Sequence, residues 1–303
     1  MIEIALMIEG QNGLNWPRWQ HIAQAAEELG FAALYRSDHF TNARPPDQDA
    51  LEMWVSLTWL ASHTHRIEFG PLVSPVSFRH PALTARIAAA VDDLSGGRLR
   101  LGLGAGWQER EHENYSFDLL GVRERFDRFD EGLRIITHLL RSEEPLTFNG
   151  AYYRLNDAVL LPRPQRAGGP PIVIGGNGPR LTLPLAARFA EEWNGVYLSP
   201  QKFNELSRKL DQELELAKRE PSSIKRTLMT GVIIAHDEKG LRARLGDRDA
   251  DQLRERGAVV GIPAQVQEQI QALETAGVQR VMLQWLDLDD LDGVELLAKT
   301  LIS

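Results

Sequence analysis

Cysteine is absent from this 303-residue chain. That excludes disulfide crosslinks, thiolate-ligated zinc or iron–sulfur centres and a cysteine nucleophile. Lysine is scarce and lopsided, because all six lie at or after Lys202. A Schiff-base lysine therefore has no candidate across the N-terminal two-thirds, which weighs against aldolase-type chemistry. Codon bias accounts for the same skew. No apolar run approaches the ~18 residues that a membrane helix needs. No basic segment precedes an apolar stretch near Glu3, so no secretory signal is expected. A formal charge of −8 speaks against a nucleic-acid partner. These absences predict a cytoplasmic protein that engages neither nucleic acid nor membrane. The metalloprotease pattern H-E-x-x-H and the nucleophile-elbow pattern G-x-S-x-G are missing as well.

What is present is ordinary globular composition, 43% apolar and 25% charged. A chain of this length buries roughly 75% of its unfolded surface, so it can build a large core. Short apolar runs alternate with amphipathic helices. Ile2–Ile8 is almost continuously apolar, as suits a parallel strand buried on both faces. A helix is expected from about Pro17 to Leu29. Further strands are expected at Phe31–Arg36, Ile67–Val73, Leu99–Leu103, Pro171–Ile174, Trp193–Leu198, Leu228–Ala235 and Arg280–Trp285. Helical patterns follow them, the cleanest over Arg123–Leu140, where Phe126, Phe129, Leu133, Ile136 and Leu140 share one stripe. Eight strand–helix pairs with no long linker predict an α/β fold, a (β/α)8 TIM barrel forming one domain over residues 1–303. Insertions are expected after strand four (Gln108–Gly121) and before strand five (Arg141–Gly169). The second contains a small hairpin around Asn149-Gly150.

In such a barrel the chemistry sits where the strands end. Strand two runs into Arg36-Ser37-Asp38-His39-Phe40. An Asp–His pair suits acid–base work, since histidine titrates near neutrality; the bland alternative is a histidine bonded within its loop. Strand three runs into Leu72-Val73-Ser74-Pro75, in a proline-punctuated stretch that is either a constrained loop or one wall of a planar-ligand site. Strand four ends in Gly102-Leu103-Gly104-Ala105-Gly106-Trp107, with Glu111 just beyond. Its glycines let a ligand approach the backbone, or mark tight barrel packing. Glu111 is an acid–base candidate or a solvated loop carboxylate. Strand five leads to Gly175-Gly176-Asn177-Gly178-Pro179-Arg180, with Pro179 expected in the first helical turn. This is the best anion-site candidate, and a tight strand-to-helix turn is its bland counterpart. Trp54 and Trp59 read as core or subunit contacts, and Glu191-Glu192 as a solvated helix end.

Taken in order, these segments resemble the luciferase-like flavin and deazaflavin oxidoreductases over nearly the whole chain. The resemblance rests on Ile8-Glu9-Gly10-Gln11, Leu34 to Phe40, Ser74 to Pro81, Asp93 to Arg98, Gly102 to Trp107 and Gly175 to Pro179. Gly104-Ala105-Gly106-Trp107 with Glu111 looks most like the branch that uses the deazaflavin coenzyme F420. That likeness implies an oxidoreductase passing a hydride between coenzyme F420 and a small-molecule substrate, as a homodimer. It implies that Asp38 and His39 stand near the reactive face, with His39 as proton donor or orienter. It implies that Leu72, Val73 and Ser74 back the ring, with a non-proline cis peptide among them. Gly106, Trp107 and Glu111 would line the cofactor or substrate side, and Gly175 to Gly178 would hold the cofactor phosphate. Some deazaflavin enzymes carry a glutamate as acid where Trp107 stands here, so the role falls to Glu111, His39 or neither. An FMN-dependent monooxygenase fed reduced flavin by a separate reductase is the alternative. A non-catalytic flavin-binding barrel is the reading from another class. Arg36, Arg79, Arg110 and Arg180 are the arginines available for an acidic cofactor tail.

Overall fold

The computed structural model describes residues 1–302. Its main sheet has ten strands, all paired in parallel. One of them, Val259–Gly261, only flanks the barrel, and two are halves of one interrupted strand. The barrel strands are β1 (Glu3–Ile8), β2 (Ala33–Arg36), β3 (Glu68–Pro71 resuming at Ser74–Pro75) and β4 (Leu101–Gly104). They continue with β5 (Ile172–Gly175), β6 (Glu192–Val196), β7 (Lys225–Ile234) and β8 (Arg280–Trp285). Each pairs with its neighbours in sequence, and β8 returns to β1 with Glu3 opposite Arg280 and Ile8 opposite Trp285. The first half of β3 pairs with β2 and the second half with β4, so closure runs through β3. Between the halves lies a cis peptide, Leu72–Val73, at the place the family resemblance implied.

The helices are α1 (Trp16–Glu28), α2 (Met53–His63), α3 (Pro81–Leu94), α4 (Glu109–Tyr115), α5 (Val122–Arg141) and α6 (Thr182–Phe189). They continue with α7 (Pro200–Leu216), α8 (Glu238–Leu245), α9 (Ala250–Glu255), α10 (Pro263–Thr275) and α11 (Leu291–Leu301). Local chemistry starts several of them. The Asn15 side chain accepts from the Arg18 N–H ahead of Pro17 in α1, and Ser199 accepts from the Lys202 N–H ahead of Pro200 in α7.

Strand alternation splits the core in two. Leu6 and Ile8 face outward and join Trp19, Leu57, Ile136, Leu183 and Phe203 between sheet and helices. Ala5 and Met7 face inward and meet Ala33, Tyr35, Leu72, Val173 and Met282 inside the barrel. That two-sided burial is why β1 reads as a continuous apolar run. The glycines of β4 serve the same closure. A Cβ on Gly102 would lie 1.9 Å from the Pro71 carbonyl oxygen, and one on Gly104 would lie 2.6 Å from Val73. So Gly102 and Gly104 make room for β3 rather than for a ligand alone.

Three expectations need correcting. The helix after β5 starts at Thr182, not at Pro179, because Gly176 to Leu181 remain irregular. Glu192 does not end a helix in solvent; it opens β6 and is buried inside the barrel. The hairpin in the insertion before β5 pairs Leu146–Asn149 with Arg154–Ala158, so its turn spans more than Asn149-Gly150.

Candidate active site

The C-terminal ends of the strands surround a cavity of about 490 Å³. Leu72, Val73 and Pro75 form one wall, and Gly104 to Trp107 another. Gly175, Gly176 and Thr182 close a third side, with Val196 and Met229 contributed by β6 and β7. The lining is mainly apolar, with a few convergent polar groups, as small-molecule sites usually are.

His39 and Glu111 are brought together in that cavity from segments 72 residues apart. Their side chains meet at 2.8 Å, Nδ1 of the imidazole against Oε1 of the carboxylate. A carboxylate only accepts, so Nδ1 carries the proton and Nε2 is left for the cavity. The other carboxylate oxygen accepts the Phe40 N–H at 3.1 Å. Glu111 is 1% exposed, so both oxygens are committed to the His39 segment. Trp107 packs edge-on against the imidazole, with ring centres 5.5 Å apart. Burial alone would depress the His39 pKa. The Glu111 carboxylate, by hydrogen bond and by charge, outweighs it and holds His39 above its ordinary value.

Asp38 points elsewhere. It is buried behind the cavity wall, where Arg79 forks onto both carboxylate oxygens and the Ser74 hydroxyl donates to Oδ2 at 2.9 Å. Arg79 also reaches Glu52 at 2.8 Å. Asp38 and Ser74 therefore tie the end of β2 to the second half of β3 and do not line the cavity. Asn177 is likewise a clamp. Its amide donates to the Val196 carbonyl at 2.7 Å and accepts the Val196 N–H at 2.9 Å. Gly178 and Pro179 lie outside the lining too. Gly178 is needed because a Cβ there would sit 2.8 Å from the Thr182 hydroxyl.

Of the arginines singled out from sequence, Arg36 is fully buried, bonded to the Ser56 hydroxyl and the Leu51 carbonyl and stacked over Trp19. Arg110 forks onto Asp47. Arg180 is exposed and does not reach the cavity. The arginine that does is Arg125 of α5. One of its terminal nitrogens donates to the Gly106 carbonyl at 3.2 Å, and its buried Nε has no partner. Its helical position, one residue before Phe126 on the apolar stripe, was the available signal. Glu9 was quoted only as part of a motif, yet it lines the cavity and accepts from both Gln11 and Gln284.

Residues 4–245 match the family of luciferase-like monooxygenases. The F420-dependent hydroxymycolic acid dehydrogenase of Mycobacterium tuberculosis is 30% identical over 267 residues, 87% of this chain and 70% of that protein. An F420-dependent glucose-6-phosphate dehydrogenase of Kineococcus radiotolerans is 37% identical over 166 residues, 53% of this chain and 47% of that enzyme. The latter match thus spans about half of its relative. The solved structure of an F420-dependent secondary alcohol dehydrogenase, in complex with an F420-acetone adduct, superposes with a TM-score of 0.85. It covers 99% of this chain and 98% of its own at 18% identity, which is a likeness of fold. Among the described residues no helix is long and apolar enough to cross a membrane, and no cluster of histidines and carboxylates is arranged to hold a metal. On the match over residues 4–245, the chain belongs to the luciferase-like monooxygenase family.

Proposed function

We propose that this protein is an oxidoreductase that moves a hydride between the deazaflavin coenzyme F420, bound at the barrel mouth, and a small organic substrate. The carrying observation is the His39–Glu111 pair, a proton-transfer group with its free nitrogen in an apolar cavity. The names of the similar dehydrogenases support the cofactor and the reaction class.

The cavity fits the cofactor chemically. Arg125 lines the mainly apolar cavity with no carboxylate paired to it, so an anion bound there would stabilise its charge. Arg125, Thr182, Gly175 and Gly176 would hold a cofactor phosphate. The Leu72–Val73 segment and Gly104 to Gly106 would flank the ring. Bound there, the deazaflavin would supply or accept the hydride.

The chain's own part is proton management. With a carbonyl substrate, His39 in its protonated form donates from Nε2 to the oxygen that gains negative charge. With an alcohol, neutral His39 accepts the hydroxyl proton at the same atom. Glu111 fixes the tautomer in both directions and stabilises the imidazolium. Trp107 packs edge-on against the ring and supplies no acid of its own.

The test is a pair of fluorescence titrations of the purified protein, one with coenzyme F420 and one with FMN. Tight deazaflavin binding with weak FMN binding is expected. The reverse preference would move the protein to the FMN-dependent monooxygenases and make a reductase partner the next object of search. Binding of neither would sink the reading.

A further inference from the structure

A second pocket, of about 370 Å³, opens beside the first and is lined by Val76, Ser77, Phe78, Arg128, Tyr152 and Tyr153, among others. The two share a wall. Pro75 lines one and Val76 the other; Arg125 lines one and Arg128, one turn along α5, lines the other. Arg128 is 8% exposed, and its Nε and one terminal nitrogen are buried with no hydrogen-bond partner. Among the described residues no carboxylate forms an ion pair with it. The nearby acids are occupied or distant. Glu131 accepts the backbone N–H groups of Ala151, Tyr152 and Tyr153, and Glu124 accepts the Gly121 N–H. Asp118 lines the pocket but makes no ion pair with Arg128. Arg79, on the pocket's edge, is consumed by Asp38 and Glu52.

Every other deeply buried arginine in the barrel has a partner. Arg36 has carbonyl and hydroxyl acceptors, and Arg280 has carboxylates. The two unpartnered nitrogens of Arg128 have no accessible surface, so the remaining terminal nitrogen is the part of the guanidinium that the pocket reaches, and an anion there would answer a largely buried charge that no carboxylate pairs. We propose that the Arg128 pocket is a second oxyanion subsite, taking a carboxylate or phosphate group, with Tyr152 and Tyr153 as its aromatic walls. Two sources carry that chemistry: the glutamate carboxylates of the acidic tail of a deazaflavin bound next door, or a separate anionic substrate. The first source rests on the function proposed above; the subsite itself does not.

The experiment uses the full chain and its Arg128→Gln and Arg128→Lys variants. Binding is read by fluorescence with two forms of the deazaflavin, one ending at its phospholactate and one carrying the oligoglutamate tail. Thermal midpoints are read with inorganic phosphate and with triglutamate, without deazaflavin. If the tail is the source, the wild type binds the tailed form about tenfold tighter, a difference of one good charge-assisted contact. Arg128→Gln erases that ratio without weakening the tail-less form, and Arg128→Lys restores part of it. If a separate anion is the source, the ratio is near one, but phosphate or triglutamate raises the midpoint of the wild type and not of Arg128→Gln. In either case the Arg128→Gln variant without ligand is at least as stable as the wild type, the reverse of what a structural arginine would give. A lower midpoint, or anion responses equal in wild type and variant, overturns the subsite. Failure of both deazaflavins to bind would sink the proposed function instead, and the phosphate and triglutamate arms would still judge the pocket.

Discussion

The two ends of the barrel handle buried charge in opposite ways. At the N-terminal end, Arg280 is 3% exposed and is held by Glu3, by Glu68 at 2.5 Å and by the Tyr35 hydroxyl at 2.8 Å. Lys225 reaches Glu3 at 2.7 Å, and Arg100 reaches Glu68. Burial would raise both carboxyls, but these cations outweigh it and hold Glu3 and Glu68 below their ordinary range. At the C-terminal end, Arg125 and Arg128 keep buried nitrogens without partners, and His39 keeps Nε2 free. The first set of charges is matched by protein, so it holds the fold. The second is matched only in part, and it lies where the proposed anion sites lie. Glu192 is the exception at the first end: its oxygens lack hydrogen-bond partners, burial pushes its carboxyl up, and Arg280, 3.8 Å away, is its nearest cation.

The largest expected effect is at the open end. His39→Ala should lower turnover by about 10²–10⁴, the usual share of a general acid–base group. Deazaflavin affinity should stay close to wild type, while the denaturation midpoint should fall, because the buried Glu111 loses the ring that its Oε1 meets. Turnover within a few-fold of wild type would remove His39 from the chemistry. The mirror experiment is at the closed end. Arg280→Met leaves Glu192, Glu68 and Glu3 without their shared cation, and removing one partner of a buried pair costs about 3–5 kcal/mol. Urea unfolding should register that loss, while turnover per folded molecule is kept. A cost under about 1 kcal/mol, the range of a surface pair, would erase the distinction between the two ends.

The same contrast explains what could be read from sequence. Strand number, order and the strand-end motifs follow from apolar periodicity and from glycine and proline punctuation, which are local. Whether a charged residue is paired is not local. Asp38 and His39 are adjacent in the chain, yet one turns to Arg79 behind the wall and the other to Glu111 in the cavity. Glu192 follows Glu191 and looks like a solvated pair, but strand alternation carries only Glu192 into the barrel. Arg36 precedes the Asp38–His39 pair and looks available, while its direction sends it under Trp19. Conversely, Arg125 and Arg128 lie in a helix crowded with charge, where only their places beside Phe126 and Phe129 on the apolar stripe set them apart from Arg123 or Arg134 on the solvent side.

The smallest expected effect is on pH, and it tests how the open end is tuned. His39 is raised above its ordinary value because Glu111 outweighs burial. A raised histidine stabilises the folded state fully below its unfolded pKa, and the contribution fades as pH rises through the folded one. Carbonyl reduction, which needs the protonated ring, should therefore decline on the alkaline side of that raised value. Alcohol oxidation, which needs the neutral ring, should decline on the acid side. Glu111→Gln keeps the shape and can still accept from Nδ1–H, but it removes the charge. Both limbs should then move to lower pH together, with the plateau rate changed far less than in His39→Ala. Limbs that stay in place would mean that another group titrates in the reaction. Limbs moving apart would mean that Glu111 itself exchanges the proton, rather than positioning the histidine that does.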